Sequence, residues 1–102
     1  MSTQNNQITV SRFPDPLTLQ HACKLSLVED KPIMMDYWTG SLDKTVIIGV
    51  KVDNEKLLVK SAEEYTSPIA KIYKSPSEKE YIVATENSIY LVDIGIESKR
   101  IS

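Results

Sequence analysis

Between residues 69 and 96 the chain repeats one pattern: a short run rich in β-branched and aromatic residues, ended by turn formers. Lys71-Ile72-Tyr73 runs into Ser75-Pro76-Ser77-Glu78, and Tyr81-Ile82-Val83-Ala84-Thr85 runs into Glu86-Asn87-Ser88. Ile89-Tyr90-Leu91-Val92-Asp93 follows. Such runs read as strands. Connections this tight join antiparallel neighbours, because a parallel pair needs a crossover of a dozen residues or more. The segment therefore predicts a β-meander, and it places no group of side chains where a reaction could be run.

Upstream, the residue types are less decisive. Residues 7–13 alternate, with Ile8 and Val10 on one side, and predict a first strand that Pro14-Asp15-Pro16 stops, since proline cannot continue a ladder. Residues 17–28 carry two patterns at once. Leu19, Ala22, Cys23, Ser26 and Leu27 share a helical face, whereas Leu17, Leu19, Cys23, Leu25 and Leu27 also fall at alternate positions, as in a strand. Asp15 as an N-cap before Pro16 favours a helix over about 16–28. Glu29-Asp30-Lys31-Pro32 ends it in either case. Ile33-Met34-Met35-Asp36-Tyr37-Trp38 reads as a strand apolar on both faces, hence central. Residues 39–44 read as a hairpin loop, 45–52 as a strand, Asp53-Asn54 as a turn tolerant of positive φ, and 56–60 as the return. Residues 61–68 form a looser connection. The expected organisation is a leader without order over 1–6, one domain over 7–96 and a tail over 97–102.

Composition excludes several classes. At 102 residues the chain makes one domain with a modest core. Its 12 basic and 14 acidic residues are interspersed, with a net charge of −2 and no basic run, so the clustered Lys and Arg expected of a nucleic-acid binder are missing from the sequence. Cys23 is the single cysteine, which rules out an intramolecular disulfide and fits a reducing compartment. No apolar stretch approaches the roughly 20 residues of a membrane-spanning helix, and the first residues lack the charge and apolar core of a signal peptide. No metal or cofactor is expected. His21 and Cys23 have no companion ligands, where a structural zinc site takes four. They also lack the third, orienting group of a triad, so Cys23 reads as a small buried hydrophobe. Gly40, Gly49 and Gly95 are too few and too scattered for a phosphate loop. Asp36, inside an apolar run, needs a partner or a solvent-facing position; a general acid or base there would need a second polar group that the sequence does not identify.

Tyr37 and Trp38, beside a glycine-containing loop, have two readings: core packing, or the aromatic anchors of a contact surface. Tyr65, between Glu63-Glu64 and Thr66-Ser67-Pro68, sits on the longest late connection. With Leu42 as an apolar tip on the 39–44 loop, it marks the expected protein contact, and Glu63 and Glu64 would favour a basic partner.

Three strings, Glu29-Asp30-Lys31-Pro32-Ile33-Met34-Met35-Asp36-Tyr37-Trp38, Glu55-Lys56-Leu57-Leu58-Val59-Lys60-Ser61 and Glu86-Asn87-Ser88-Ile89-Tyr90-Leu91-Val92, resemble small uncharacterised proteins of nucleocytoplasmic large DNA viruses. The resemblance implies a virion or virus-factory component in the cytoplasm of an infected host, and no activity. Residues 30–38 are also similar to the central strand of thioredoxin-like domains, but no Cys-x-x-Cys follows Trp38.

The expectation is an α+β domain: a mainly antiparallel meander or partly open small barrel with one short helix, the alternative being all-β. Strands are predicted at about 33–38, 45–52, 56–60, 69–74, 80–85 and 89–94, burying Ile48, Val50, Leu57, Ile72, Ile82, Val83, Leu91 and Val92. The leading function is a non-catalytic structural or protein-interaction module, intracellular, whose partner is another protein, a second copy of the chain included. Next stands a small nucleic-acid-binding barrel whose groove would gather Lys44, Lys51, Lys56, Lys60, Lys71 and Lys74. An enzyme or enzyme subunit stands third.

Overall fold

Asp15 accepts a hydrogen bond from the Leu17 amide at 2.9 Å, and Pro16 follows it as the first helical residue. These two features start α1 (Pro16–Glu29) in the computed structural model, which describes residues 12–101. Asp30 ends the helix in the left-handed region, φ 55°, with its amide bonded to the Ser26 carbonyl. An acidic side chain tolerates that conformation better than a branched one. Next come β1 (Ile33–Met34), α2 (Trp38–Leu42), β2 (Ile47–Val50) and β3 (Lys56–Val59). The meander β4 (Ile69–Lys74), β5 (Glu80–Thr85) and β6 (Ile89–Asp93) follows, and then β7 (Glu97–Arg100).

The strands form two mixed sheets, so the domain is α+β and not a closed barrel. The first has the order β1-β6-β5-β4, with β1 parallel to β6 and the rest antiparallel. The second has the order β3-β2-β7, with β7 parallel to β2. Alternation along the meander builds three layers. Ile82, Ile89 and Leu91 face one way and pack with Ala22, Leu19 and Leu25 of α1. Val83 and Val92 face the other way and pack with Ile48 and Leu58 of the second sheet. Burial of such side chains stabilises by about 1.5–3 kcal/mol each. The central strands, covered on both faces, are thus β5 and β6.

The 33–38 run is not a central strand. Only Ile33 and Met34 pair, at the sheet edge, and the chain then turns into α2. Successive residues at the turn point in different directions, so Tyr37 enters the sheet–sheet core and Trp38 the helix–sheet core. The reading of this run as buried on both faces fails for Met34 and Met35, which are exposed; only Tyr37 and Trp38 are buried, on different sides, because the chain turns there. The 39–44 loop is likewise replaced by α2, which two small residues make possible. The buried Ser41 hydroxyl donates to the Trp38 carbonyl at 2.6 Å and accepts from the Asp93 amide at 2.9 Å, tying α2 to β6. A Cβ on Gly40 would stand 2.5 Å from Val46 Cγ2.

Other expectations change too. Part of the 97–102 tail is β7, which hydrogen-bonds along β2. Strand 45–52 shortens to β2, leaving Val52 beyond its end and 72% exposed. Of the expected core, Val50 is half-buried and Ile72 is exposed, because β2 and β4 carry them to a sheet end and a sheet edge. Cys23 is exposed: the buried face of α1 runs through Thr18 and Ala22. Asp36 is an exposed turn residue. Of the strand expected over 7–13, residues 7–11 lie outside the described residues, as does the 1–6 leader, while Arg12 and Phe13 belong to no strand.

Candidate protein-contact site

The four-stranded sheet ends in β4, and the register defines what that edge offers. The Ser75 amide donates to the Glu80 carbonyl at 2.9 Å, so Ser75 and Glu80 form a hydrogen-bonded pair. Hydrogen-bonded and non-hydrogen-bonded pairs alternate along an antiparallel ladder. Tyr73 opposite Ile82, and Lys71 opposite Ala84, are therefore bonded to β5. Ile72 and Lys74, opposite Val83 and Tyr81, turn their amides and carbonyls outward. The other edges offer less. β1 has two residues, β7 has four and carries Glu97, Lys99 and Arg100, and the outer edge of β3 is covered by residues 65 and 66. Lys71 and Lys74 on β4 discourage pairing between two copies of that edge.

Beside β4 lies a groove of about 350 Å³. Its helix wall is one flank of α1: His21, Lys24, Leu25 and Val28, at the three- and four-residue spacings that align side chains on a helix. Its sheet wall is Tyr73, Lys74 and Pro76, and it reaches the buried Ile82 of β5. The groove exists because α1 packs mainly over β5, β6 and β1, while β4 meets β3 and, at Ile69, Ala70 and Ile72, borders a shallow concavity with residues 54–56.

The residues marked out in the sequence are not brought together. Tyr37 and Trp38 are 5% and 4% exposed, so both are core. Burial first, then Asp36, Tyr90 and Glu64, pushes the Tyr37 phenol up to about 12; its ring meets that of Tyr90 edge-on at 5.4 Å. Leu42 is no projecting tip: it packs half-buried against the helix–sheet core. Residues 61–66 fold back on β3. The Lys60 amide donates to the Glu64 carbonyl, and the Thr66 amide to the Leu58 carbonyl. Tyr65 stays 59% exposed and, with Leu57, Val59, Ala62 and Ile101, lines a second groove of about 450 Å³ on the outer face of the second sheet. Glu63 and Glu64 are exposed beside it.

The six lysines of the nucleic-acid reading are dispersed and largely engaged. Lys51, Lys60 and Lys74 each face a glutamate four residues on, at 3.5, 3.9 and 4.0 Å. Lys44 donates to the Gly95 carbonyl. Among the described residues no group of three or more His, Cys, Asp or Glu is placed to hold a metal, and no helix is long and apolar enough to cross a membrane.

Sequence reasoning missed one buried polar cluster. Glu80, on the helix-facing side of β5, is wholly buried. It accepts from Arg12 Nη1 at 2.6 Å and from Thr18 Oγ1 at 2.5 Å. Arg12 also binds Asp93 Oδ1 through Nη2 and lies 5.0 Å from the centre of the Trp38 ring, while Trp38 Nε1 donates to the Arg12 carbonyl. Paired carboxylates hold the guanidinium charged, raising its pKa. Glu80 falls in step with Ile82 and Ala84, a carboxylate on an apolar stripe, and that was the available signal. Its carboxylate is closed off and its oxygens are already engaged, so the cluster works as a clip holding the chain before α1 against the meander.

The chain matches no family model, no curated protein and no solved structure. Its functional reading therefore rests on the geometry of the β4 edge and of the two grooves.

Proposed function

We propose that this protein is a non-catalytic binding module that takes an extended segment of another protein as an added strand along β4. The observation that carries this reading is the outward-facing amides and carbonyls of Ile72 and Lys74, on the longest open edge among the described strands. Strand addition draws affinity from such main-chain groups and specificity from nearby side-chain pockets, and the groove beside β4 supplies a pocket. A place in the host cytoplasm, as part of a virion or virus factory, belongs to the same proposal and rests on the sequence resemblance alone.

The test uses proline, which an edge strand tolerates where the replaced amide faces outward. Peptides selected from a random display library against the whole chain are measured for binding to wild type and to Ile72→Pro, after circular dichroism has established that the variant folds. Binders are expected to slow amide exchange at Ile72 and Lys74 and to lose at least about tenfold in affinity for the variant, more than one hydrogen bond's share of about 1 kcal/mol because the following strand register is lost with it. Equal binding to folded Ile72→Pro, with exchange at both wild-type amides unchanged by the peptide, would overturn strand addition.

A further inference from the structure

The groove between α1 and β4 has a composition that says what kind of segment it suits. Its base is apolar: Ile82 is 3% exposed and Tyr73 half-buried, and Val28 stands at its margin 80% exposed. The titratable groups lining it are His21, Lys24 and Lys74, with no carboxylate among the lining residues. Lys24 forms no ion pair among the described residues. Lys74 is held by Glu78 at 4.0 Å, with both side chains more than half exposed, an arrangement of the weak kind that a competing anion displaces. Lys71 lies on the same face of the sheet, since it pairs opposite Ala84, two residues along β5 from Ile82, whereas Lys74, opposite Tyr81, borders the groove at the strand end with its side chain leaving on the other face. Lys24 and Lys71 thus set positive charge beside an apolar base in a chain whose net charge is −2.

We propose that the strand taken up by β4 is an acidic one, an extended protein segment whose aliphatic side chain enters the α1–β4 groove while Asp or Glu residues beside it meet Lys24 and Lys71. This deepens the strand-addition reading and rests on it. Alternation fits the arrangement. In an added strand, residues two apart share a face, so one can fill the groove while the next along that face reaches a lysine.

The probes are three short fluorescent peptides with the same alternating Val and Leu positions, filled between with Asp and Glu, with Ser and Gln, or with Lys, and a single-stranded oligonucleotide of charge equal to the acidic peptide. Binding to the whole chain is followed by polarisation. The acidic peptide is expected to bind at least about tenfold more tightly than the neutral one at low salt, with the gap closing as salt shortens the range of exposed charges. Lys24→Glu, at an exposed position, should remove that preference and favour the Lys peptide. Val28→Ser should weaken every peptide. Equal affinity for all three peptides, no binding of the acidic peptide, or a preference untouched by Lys24→Glu would each overturn the proposal. So would an oligonucleotide that binds as tightly as the acidic peptide and competes with it, since the lysines would then serve nucleic acid. Ile72→Pro separates the two levels. An acidic preference that survives it but falls with Lys24→Glu overturns strand addition and keeps the groove. Binding lost through Ile72→Pro with no charge preference keeps strand addition and overturns the acidic segment.

Discussion

Two kinds of ion pair occupy this small domain, and they do different work. In the clip, Arg12 joins a fully buried Glu80 and a half-buried Asp93, with Trp38 behind the guanidinium. On the surface, Lys51 and Glu55, Lys60 and Glu64, and Lys74 and Glu78 face each other four residues apart at 3.5–4.0 Å. The surface pairs are local in sequence and long, and exposed except for the half-buried Lys60, so each contributes little. The clip links residues 68 and 81 positions apart. Its importance lies less in Coulomb attraction than in what an unpaired Glu80 would cost. Charge count alone ranks the two kinds alike, and burial separates them.

The comparison breaks most sharply at Arg12. Arg12→Ala should destabilise the protein by about 2–4 kcal/mol, because Glu80 has no route to water when its partner goes. Glu80→Met should cost less than Arg12→Ala, since Arg12 is part-exposed and keeps Asp93. Urea melts of the two variants check the asymmetry. If Glu80→Met proves the costlier, the clip is not held by the burial of the carboxylate.

Tyr37 sharpens the same point with a group whose shift comes first from burial, although Lys60 Nζ lies 4.6 Å from the centre of its ring. Its phenol ionises near 10 in the unfolded chain and near 12 in the folded one, burial being the main cause. The folded state's advantage is whole below about pH 10 and is lost as pH rises from there towards 12, on the order of 2–3 kcal/mol. Tyr37→Phe should flatten the fall in stability measured by urea melts between pH 9 and pH 12, relative to wild type. An unchanged slope would move the alkaline sensitivity elsewhere, to Tyr90 first, which burial raises in the same direction.

The smallest effect belongs to the surface pairs. Lys51→Ala should shift stability by less than about 0.5 kcal/mol and lose even that in high salt. A loss above about 1 kcal/mol would mean that the i,i+4 pairs do more than decorate the surface.

Local chemistry wrote much of this molecule in readable form. Asp15 and Pro16 announce the start of α1, and Asp30 with Pro32 its end. The runs ending at Lys74, Thr85 and Asp93 fall within a residue of the strands observed. Those signals act between residues a few positions apart, so the chain carries them wherever it folds. Tyr65 was also legible as exposed, and Tyr37 and Trp38 as residues with two readings. The α1–β4 groove was not legible. Its walls come from residues 21–28 and 73–82, and nothing in either segment says that α1 will lie mainly over β5, β6 and β1. Nor did any local signal turn residues 38–42 into a helix. That depends on Ser41 reaching the Asp93 amide and on Gly40 meeting Val46.

By itself, then, the sequence determined the three strands of the 69–93 meander, the turns between them and that one helix begins at Pro16, because caps, prolines and alternation are settled by near neighbours. The tertiary structure alone decided which strands are central, that residues 97–100 join β2 rather than trail as a tail, and that Arg12 clips Glu80. Each of these rests on groups dozens of residues apart, whose meeting is fixed by the burial of two cores and by the hydrogen bonds that buried polar groups must find.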